Sequence, residues 1–569
     1  MKKLLCMIFV FLFLLLFSSS KVACQVQNRN VQVSDTTRFP TDFAGNESNI
    51  SIDHVVGGFG LLLDIKNNGE VEFENLTISV TLTNASFVRV QPTEYRIPFL
   101  GANETTTLRI KVFGIGLGKL TPPPEISILA QASEHDQNEV QIRMLVLGPF
   151  TKLISIYYHG DAFIGYTLFS PEYSRKTFLI DKQGILVHSW ESAYIQGLGV
   201  FLLENGDILR TTLPFDNPVF IGGGMTGGVE RYDWNGTLLW EFLYSDSHHC
   251  IHHNIKMLPN GHILMAGWEY KTAAEAIAAG RDPFSLPVGE IWPDHVIEVE
   301  PTGSSGGTIV WEWHIWDHLI QDFDPTKENY GIVEQHPELL DINYGIYEGK
   351  YTADWNHINA IDYNEMFDQI LLSAHNQNEI WIIDHSTTTE EAAGHTGGNS
   401  GKGGDLLYRY GNPRTYRAGQ SDDQVFFGQH DAQWIPSGCP GEDNILVFNN
   451  GQGKPQGQFS SIDELAPPVN DEGSYILEPG SAYGPENLTW SYTALNPVDF
   501  YAGYLSGTQR LPNGNTLICD GDQGVFFEVT PGKKTVWTYV NTIPSPMTNQ
   551  VFKILCYPPE YPGLRFLSI

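Results

Sequence analysis

Apolar and polar residues alternate with a period of two across the stretch 50–150. Thr77-Ile78-Ser79-Val80-Thr81-Leu82 and Thr107-Leu108-Arg109-Ile110-Lys111-Val112 each place one residue type on each face of a half-buried strand. Similar runs at 60–66, 126–130 and 140–146 are broken by Asn-Asn-Gly and Pro-Pro-Pro. Short strands at this spacing predict a small β-sandwich of immunoglobulin-like kind over 50–150. It carries no constellation of reactive side chains and reads as a spacer or binding module.

From about Leu153 the chain repeats itself. One unit is a strand, an acidic turn with a glycine, and a strand containing tryptophan, as in 177–190 and 229–240, with looser copies at 296–311, 380–410 and 525–537. The other is the turn Leu-Pro-Asn-Gly followed by a strand, at 258–264 and 511–517, with the variant Leu203-Glu-Asn-Gly-Asp-Ile-Leu209. Antiparallel strand groups repeated without helical periodicity predict a β-propeller, whose radial repetition protects the sheet edges. At roughly 40 to 50 residues per blade, the stretch 151–569 predicts six blades, with seven or eight as the alternative. The fold class is therefore all-β: a six-bladed propeller preceded by a sandwich.

The first 24 residues break this pattern. Met1-Lys2-Lys3, the apolar run 4–17, and Ser18-Ser19-Ser20-Lys21-Val22-Ala23-Cys24 have the three zones of a secretory signal peptide, with cleavage expected before Gln25 and a polar lead-in over 25–49. Lys21 stands where a lipid-anchor motif requires an aliphatic residue, and the run is shorter than the ~20 residues of a membrane span. The chain is thus expected outside the cytoplasm, secreted or in the cell envelope, with no membrane span after cleavage. Cys250, Cys439, Cys519 and Cys556 remain; export permits disulfides, and four free thiols are the equal alternative. Sequons at Asn46, Asn49, Asn75, Asn84, Asn103, Asn235 and Asn487 predict exposed loops.

Charge narrows the functions open to the fold. With 33 basic and 66 acidic residues, the formal net charge is −33. Nucleic acid, which demands a basic footprint, is excluded as a partner. An anionic small molecule requires a locally positive pocket against an unfavourable field.

Ligands of propellers reach the central channel, so histidines repeated near the start of successive blades converge there. His253 precedes Pro259 by six residues and His430 precedes Pro436 by the same six; His357, in Asp354-Trp-Asn-His-Ile-Asn359, leads into the strand 369–373. Any one of these alone reads as a structural histidine, but their recurrence points to a site. Asn359 shares a face with His357 in an extended strand, whereas His252 and Asp431 are expected to turn away from their neighbours. The run His248-His-Cys-Ile-His-His253 is dense in metal-ligand types, yet alternation on a strand splits it and no compact acidic set joins it, so no metal is assigned there.

Gly428-Gln-His-Asp-Ala-Gln-Trp434 followed by Ile445-Leu-Val-Phe-Asn-Asn-Gly451 resembles the segment of arylsulfate sulfotransferases that bears their sulfuryl-accepting histidine. Gly165-Tyr-Thr-Leu-Phe-Ser170, Thr177-Phe-Leu-Ile-Asp181, Val187-His-Ser-Trp190 and Trp355-Asn-His-Ile-Asn-Ala-Ile-Asp-Tyr-Asn364 are similar to that family in the same order. The resemblance implies transfer of a sulfuryl group from an aryl sulfate donor to a phenol, in two displacements through a sulfohistidine, without a nucleotide sulfate donor or other cofactor. It implies His430 as nucleophile, His253 and His357 as the other catalytic histidines, and Asn359 as a substrate contact; His252 and His375 are further candidate substrate-binding residues. Where the family commonly has an arginine, this chain reads Leu372-Ser-Ala-His-Asn376; His375 is the nearest substitute for that charge, and Arg414 and Arg417 are other candidate cations. Trp355, Phe427 and Trp434 are candidates to stack on phenolic rings, or to pack between blades. The reading of a different class is a non-catalytic exported propeller that binds glycans or partner proteins.

Overall fold

The computed structural model describes residues 49–83, 87–117, 123–133, 136–158, 160–214, 217–286, 288–344, 353–543 and 549–567. The leader and all of the lead-in except Asn49 lie outside them, as do Asn46 and Asn84. Among the described residues no helix is long and apolar enough to cross a membrane.

The alternating runs of 50–150 form strands. Leu61–Asn67 buries every second side chain, with Leu61, Leu63 and Ile65 fully enclosed, and burying each such side chain contributes about 1.5–3 kcal/mol. Phe73–Thr83 pairs with Glu94–Leu100 and Glu125–Gln131, and Thr105–Gly116 with Leu61–Asn67 and Gln137–Gly148. Their inward faces form one apolar core from Ile50 to Tyr158. The expected boundary at 150 falls on the first residue of the strand Phe150–Tyr158. That strand pairs with Gln137–Gly148 on one side and Thr535–Val540 on the other.

The repeats beyond it form a propeller-like arrangement with five separate four-stranded sheets. Their first strands are Tyr166–Pro171, Ile195–Leu202, His249–Met257, Ile358–Asn364 and His430–Trp434. The first sheet is completed by the C-terminal strand Val551–Tyr557, a closure that joins the two ends of the repeat region. A further antiparallel run, Gly507–Arg510 to Thr535–Val540, continues through Phe150–Tyr158 into the N-terminal strands instead of standing alone. Each Leu-Pro-Asn-Gly turn, and its Leu-Glu-Asn-Gly variant, joins the first and second strands of its unit.

Outer-strand tryptophans dock four of the units onto the next. Trp190 donates to the Asp233 carbonyl (3.1 Å), Trp240 to Gly306 (2.8 Å), Trp490 to Pro531 (2.9 Å) and Trp537 to Lys182 (2.6 Å). An indole N–H is a donor that needs a partner when buried. The recurrence of Trp on the outer strand is thus a hydrogen-bonding requirement as well as packing. Buried ion pairs add to these joints, among them Lys182–Glu528 (2.7 Å) and Arg510–Glu464 (2.6 Å).

The four cysteines Cys250, Cys439, Cys519 and Cys556 are buried free thiols. Asn49, Asn75, Asn103, Asn235 and Asn487 are exposed.

Candidate active site: a histidine cluster

First strands of neighbouring sheets lie side by side, and each histidine-bearing one is irregular. Its register shifts between Ile251 and Ile255, between Ile358 and Ala360, and between His430 and Gln433. Left-handed backbone falls at His253 (φ 55°), His357 (φ 56°) and Asp431 (φ 51°), a conformation that costs an L-residue on the order of 1–2 kcal/mol. The left-handed residue is thus the histidine itself in two strands and the residue after His430 in the third. Counted from the hairpin, His253 and His430 keep the register suggested by the proline spacing, each five residues before the turn-closing amides of Leu258 and Ile435.

The histidines nevertheless converge. Ring centroids are 4.5 Å apart for His253 and His357, 5.2 Å for His357 and His375, and 5.1 Å for His375 and His430. Phe552 closes the circle, 5.8 Å from His253 and 6.2 Å from His430. His253 and His430 are buried, at 3% and 4% exposure. His357 and His375 are partly exposed and form the side of the cluster open to solvent.

His252 does not turn away as a regular strand would require. The kink at His253 brings the two Nδ1 atoms to 2.8 Å, and His252 Nε2 lies 2.6 Å from Asp294 Oδ1. Trp268 stacks on His252 at 4.2 Å. Asp431 does face elsewhere, accepting from Lys553 (2.7 Å) and the Thr508 amide (3.0 Å). His248 and His249 lean to Asp246 on the exposed side.

Hydrogen bonds fix the tautomers. His430 Nδ1 faces two acceptors, Asn450 Oδ1 at 2.8 Å and the Gly428 carbonyl at 3.2 Å, so it carries the proton and Nε2 carries the lone pair. Asn450 cannot flip, since its Nδ2 donates to the carbonyls of Ala502 (2.9 Å) and Leu505 (3.0 Å). His357 Nδ1 is held by Asp354, whose other oxygen accepts from Trp268 Nε1 at 3.0 Å. His375 Nδ1 lies 2.9 Å from Asn376 Oδ1.

Burial pushes His430 down to about 4, opposed by its hydrogen bond to Asn450 and assisted by nearby His357. His253 is lowered well below the ordinary histidine range by burial and by His357, His252, His430 and His375. Burial raises Asp294, with His252 opposing. Both buried histidines are neutral near pH 7, and His253 exchanges protons with the carboxylate of Asp294 by way of His252.

Asn359 is fully buried and its Nδ2 donates to the Gln429 carbonyl at 2.8 Å. It braces the backbone that leads into His430, and its Oδ1 has no hydrogen-bond partner. Arg417 is engaged by Asp322 and Asp341, and Arg414 is exposed. Trp355 and Trp434 belong to apolar cores between sheets. Phe427 lines a separate cavity of about 290 Å³ with Lys454, Phe459 and Asp463.

Sequence reasoning missed the partners that set the histidines: Asp294, Asp354, Asn450, Trp268 and Phe552. It also missed the run Gly222-Gly223-Gly224, which lies across the cluster. A Cβ on Gly224 (φ +81°) would stand 1.8 Å from His253 Cε1, and one on Gly223 would stand 3.8 Å from His357 Cε1. Three consecutive glycines were the one signal that pointed there.

Among solved structures, this chain is similar to a protein of unknown function from Bacteroides caccae (12% identity, covering 69% of this chain and 98% of that one, TM-score 0.37). It is also similar to a streptogramin B lyase (12% identity, 67% and 82%, TM-score 0.31). No curated protein matches it. The family model described as Arylsulfotransferase (ASST) matches residues 158–554, well over half of the sequence and every histidine of the cluster, and the chain therefore belongs to the arylsulfotransferase family.

Proposed function

We propose that the protein is an exported aryl sulfotransferase that moves a sulfuryl group between phenols by way of His430. Family membership implies aryl sulfotransferase activity, with an aryl sulfate and a phenol as fitting substrates. The observation that carries the finer reading is the locked tautomer of His430, which keeps an unprotonated Nε2 in a buried cluster of donors. The four-strand run from Gly507–Arg510 to Thr535–Val540 counts as the sixth blade, joined to its neighbours by Trp490 and Trp537. The strands of 50–150 form the accompanying sandwich, and the leader supports export.

In the first half-reaction the Nε2 lone pair of His430 attacks sulfur, and the sulfur–aryl oxygen bond breaks with its electron pair on the phenolate. The phenolate takes a proton from His253 Nε2. That proton is replaced through the chain Asp294–His252–His253, in which His252 hands a proton from Nδ1 to His253 Nδ1 while Asp294 accepts from its Nε2. The sulfuryl group stays on His430 Nε2 while Nδ1 keeps its proton. An acceptor phenol then gives its proton back to His253, its oxygen attacks sulfur, and the nitrogen–sulfur bond returns its electrons to Nε2.

The non-bridging oxygens carry the charge and require fixed donors. His357, whose Nδ1 is held by Asp354, and His375, the nearest substitute for the arginine common in relatives, each present an Nε2–H donor when both of their ring nitrogens carry a proton. Asn359 acts through the backbone before His430 and is a positioning residue.

The test is a rapid-mixing assay of the purified mature chain with an aryl sulfate alone. A burst of phenolate equal to the enzyme concentration, followed by turnover only when a phenol is added, supports the reading. Absence of phenolate release with and without acceptor would favour a binding protein instead.

A further inference from the structure

Away from the cluster, two imidazoles and a carboxylate meet where the 385–407 loop folds back onto the neighbouring sheet. We propose that His318, His395 and Asp405 form a binding site for a divalent transition metal of the zinc class, which pins this loop to the sheet carrying His318. Their ligand atoms all lie within 4.8 Å of one another. His318 follows the strand Gly307–His314, while His395 and Asp405 belong to the loop between Glu379–Asp384 and Tyr408–Tyr410.

The hydrogen bonding around His318 is that of a metal ligand. Its Nε2 lies 2.8 Å from the Ala392 carbonyl, which can only accept, so Nε2 carries the proton and a neutral ring turns the Nδ1 lone pair outward. That lone pair faces Asp405 Oδ1 at 2.9 Å, and His395 Nδ1 faces the same oxygen at 2.7 Å. A lone pair against a carboxylate is repulsive unless a cation, either a proton or a metal, stands between them. Trp313 stacks over the His318 ring at 5.7 Å and donates to the Gly404 carbonyl at 2.7 Å, so the fully buried imidazole is clamped in this orientation. Gly404 permits the approach: a Cβ there would stand 2.0 Å from the Ala392 oxygen and 2.6 Å from His318 Nε2.

Two nitrogens and one oxygen, with an open fourth position, match zinc chemistry, and calcium and magnesium, which take oxygen ligands, are excluded. Bonds of about 2.0–2.1 Å to a tetrahedral ion separate ligand atoms by about 3.3 Å, so the Asp405 carboxylate must draw back from the clamped His318, and His395 from Asp405, by roughly half an ångström. His395, whose side chain is 60% exposed, is free to do so.

The experiment titrates zinc into the chelator-stripped full mature chain by calorimetry, beside His395→Ala, Asp405→Asn and the double variant His253→Ala/His357→Ala. We expect one equivalent to bind the wild type and the double variant, and to weaken at least tenfold in His395→Ala and Asp405→Asn. Zinc is also expected to slow protease cleavage within 393–404 in the wild type and not in His395→Ala. Failure of the wild type to bind an equivalent, retention of that equivalent by His395→Ala, or its loss only in the double variant would overturn the proposal. The sulfuryl reading stands or falls separately, since zinc binding here is read without activity.

Discussion

Asn450 Oδ1 holds His430 Nδ1 at 2.8 Å while its own amide nitrogen is tied to the carbonyls of Ala502 and Leu505. One rigid amide thus decides which nitrogen of a buried imidazole is left basic. Asn450→Leu keeps the bulk and removes this decision. Turnover should fall roughly tenfold to a hundredfold, the scale on which losing a partner that orients a functional histidine acts. Two carbonyls lose their donor, so stability should drop by about 1–3 kcal/mol. Kinetics and thermal unfolding of the same sample separate the two effects.

Acid should switch the nucleophile off late. His430 is depressed to about 4 by burial, so Nε2 is unprotonated above that value and gains a proton only below it. The rate of phenolate release with donor alone should lose its His430-dependent part near pH 4, not near the ordinary histidine value of about 6.5. The same depression has a stability consequence. Between about 4 and 6.5 the unfolded chain holds more protons at this position, so its stabilisation is complete above about 6.5 and is lost as pH falls through 4.

A methyl group at one glycine should disable the site. The added Cβ of Gly224→Ala would overlap the His253 ring, and the backbone at φ +81° disfavours any side chain. Overpacking of this kind costs typically 1–3 kcal/mol. We expect the fold to persist with a lower melting temperature and transfer to fall steeply, because His253 is displaced from His357. Wild-type rates in this variant would show that His253 has no part in proton transfer.

Much of this was legible in the sequence, and the misses have physical reasons. Period-two runs such as 77–82 found their strands because one face is buried and the other is not. The Leu-Pro-Asn-Gly turns marked the first hairpin of a unit because glycine is required at the left-handed corner, as at Gly261 (φ +88°) and Gly514 (φ +87°). The pairing of Phe150–Tyr158 with Thr535–Val540 was illegible, since residues almost four hundred positions apart leave no local trace. His252 was misdirected because alternation assumes a regular strand and the kink at His253 breaks it. Asn450 was hidden because an Asn-Asn-Gly sequence reads as a turn. Trp355 and Trp434, considered as stacking surfaces, serve the cores between sheets, while Trp268 and Phe552 meet the histidines instead.

Between two sheets, His385 bridges Asp368 (2.7 Å) and Glu298 (2.9 Å); burial pushes it down, but the two carboxylates outweigh burial and raise it to about 9. Because its folded value lies above its unfolded one, its contribution is fully present below about 6.5 and is lost as pH rises through 9. His385→Gln should cost on the order of 2–3 kcal/mol at pH 6 and little at pH 10. Denaturant unfolding at the two pH values measures this, and an equal loss at both would assign the residue to packing alone.

The claim on which the account turns is that His430 carries the sulfuryl group. The most direct measurement is mass spectrometry of wild type and His430→Asn after mixing with an aryl sulfate alone and quenching under non-acidic conditions. The account predicts a sulfuryl adduct on the wild-type peptide containing Gln429-His430-Asp431, no adduct on the variant, and a loss of turnover in the variant of about 10³-fold or more. An adduct on His253 or His357, or substantial transfer by His430→Asn, would contradict it.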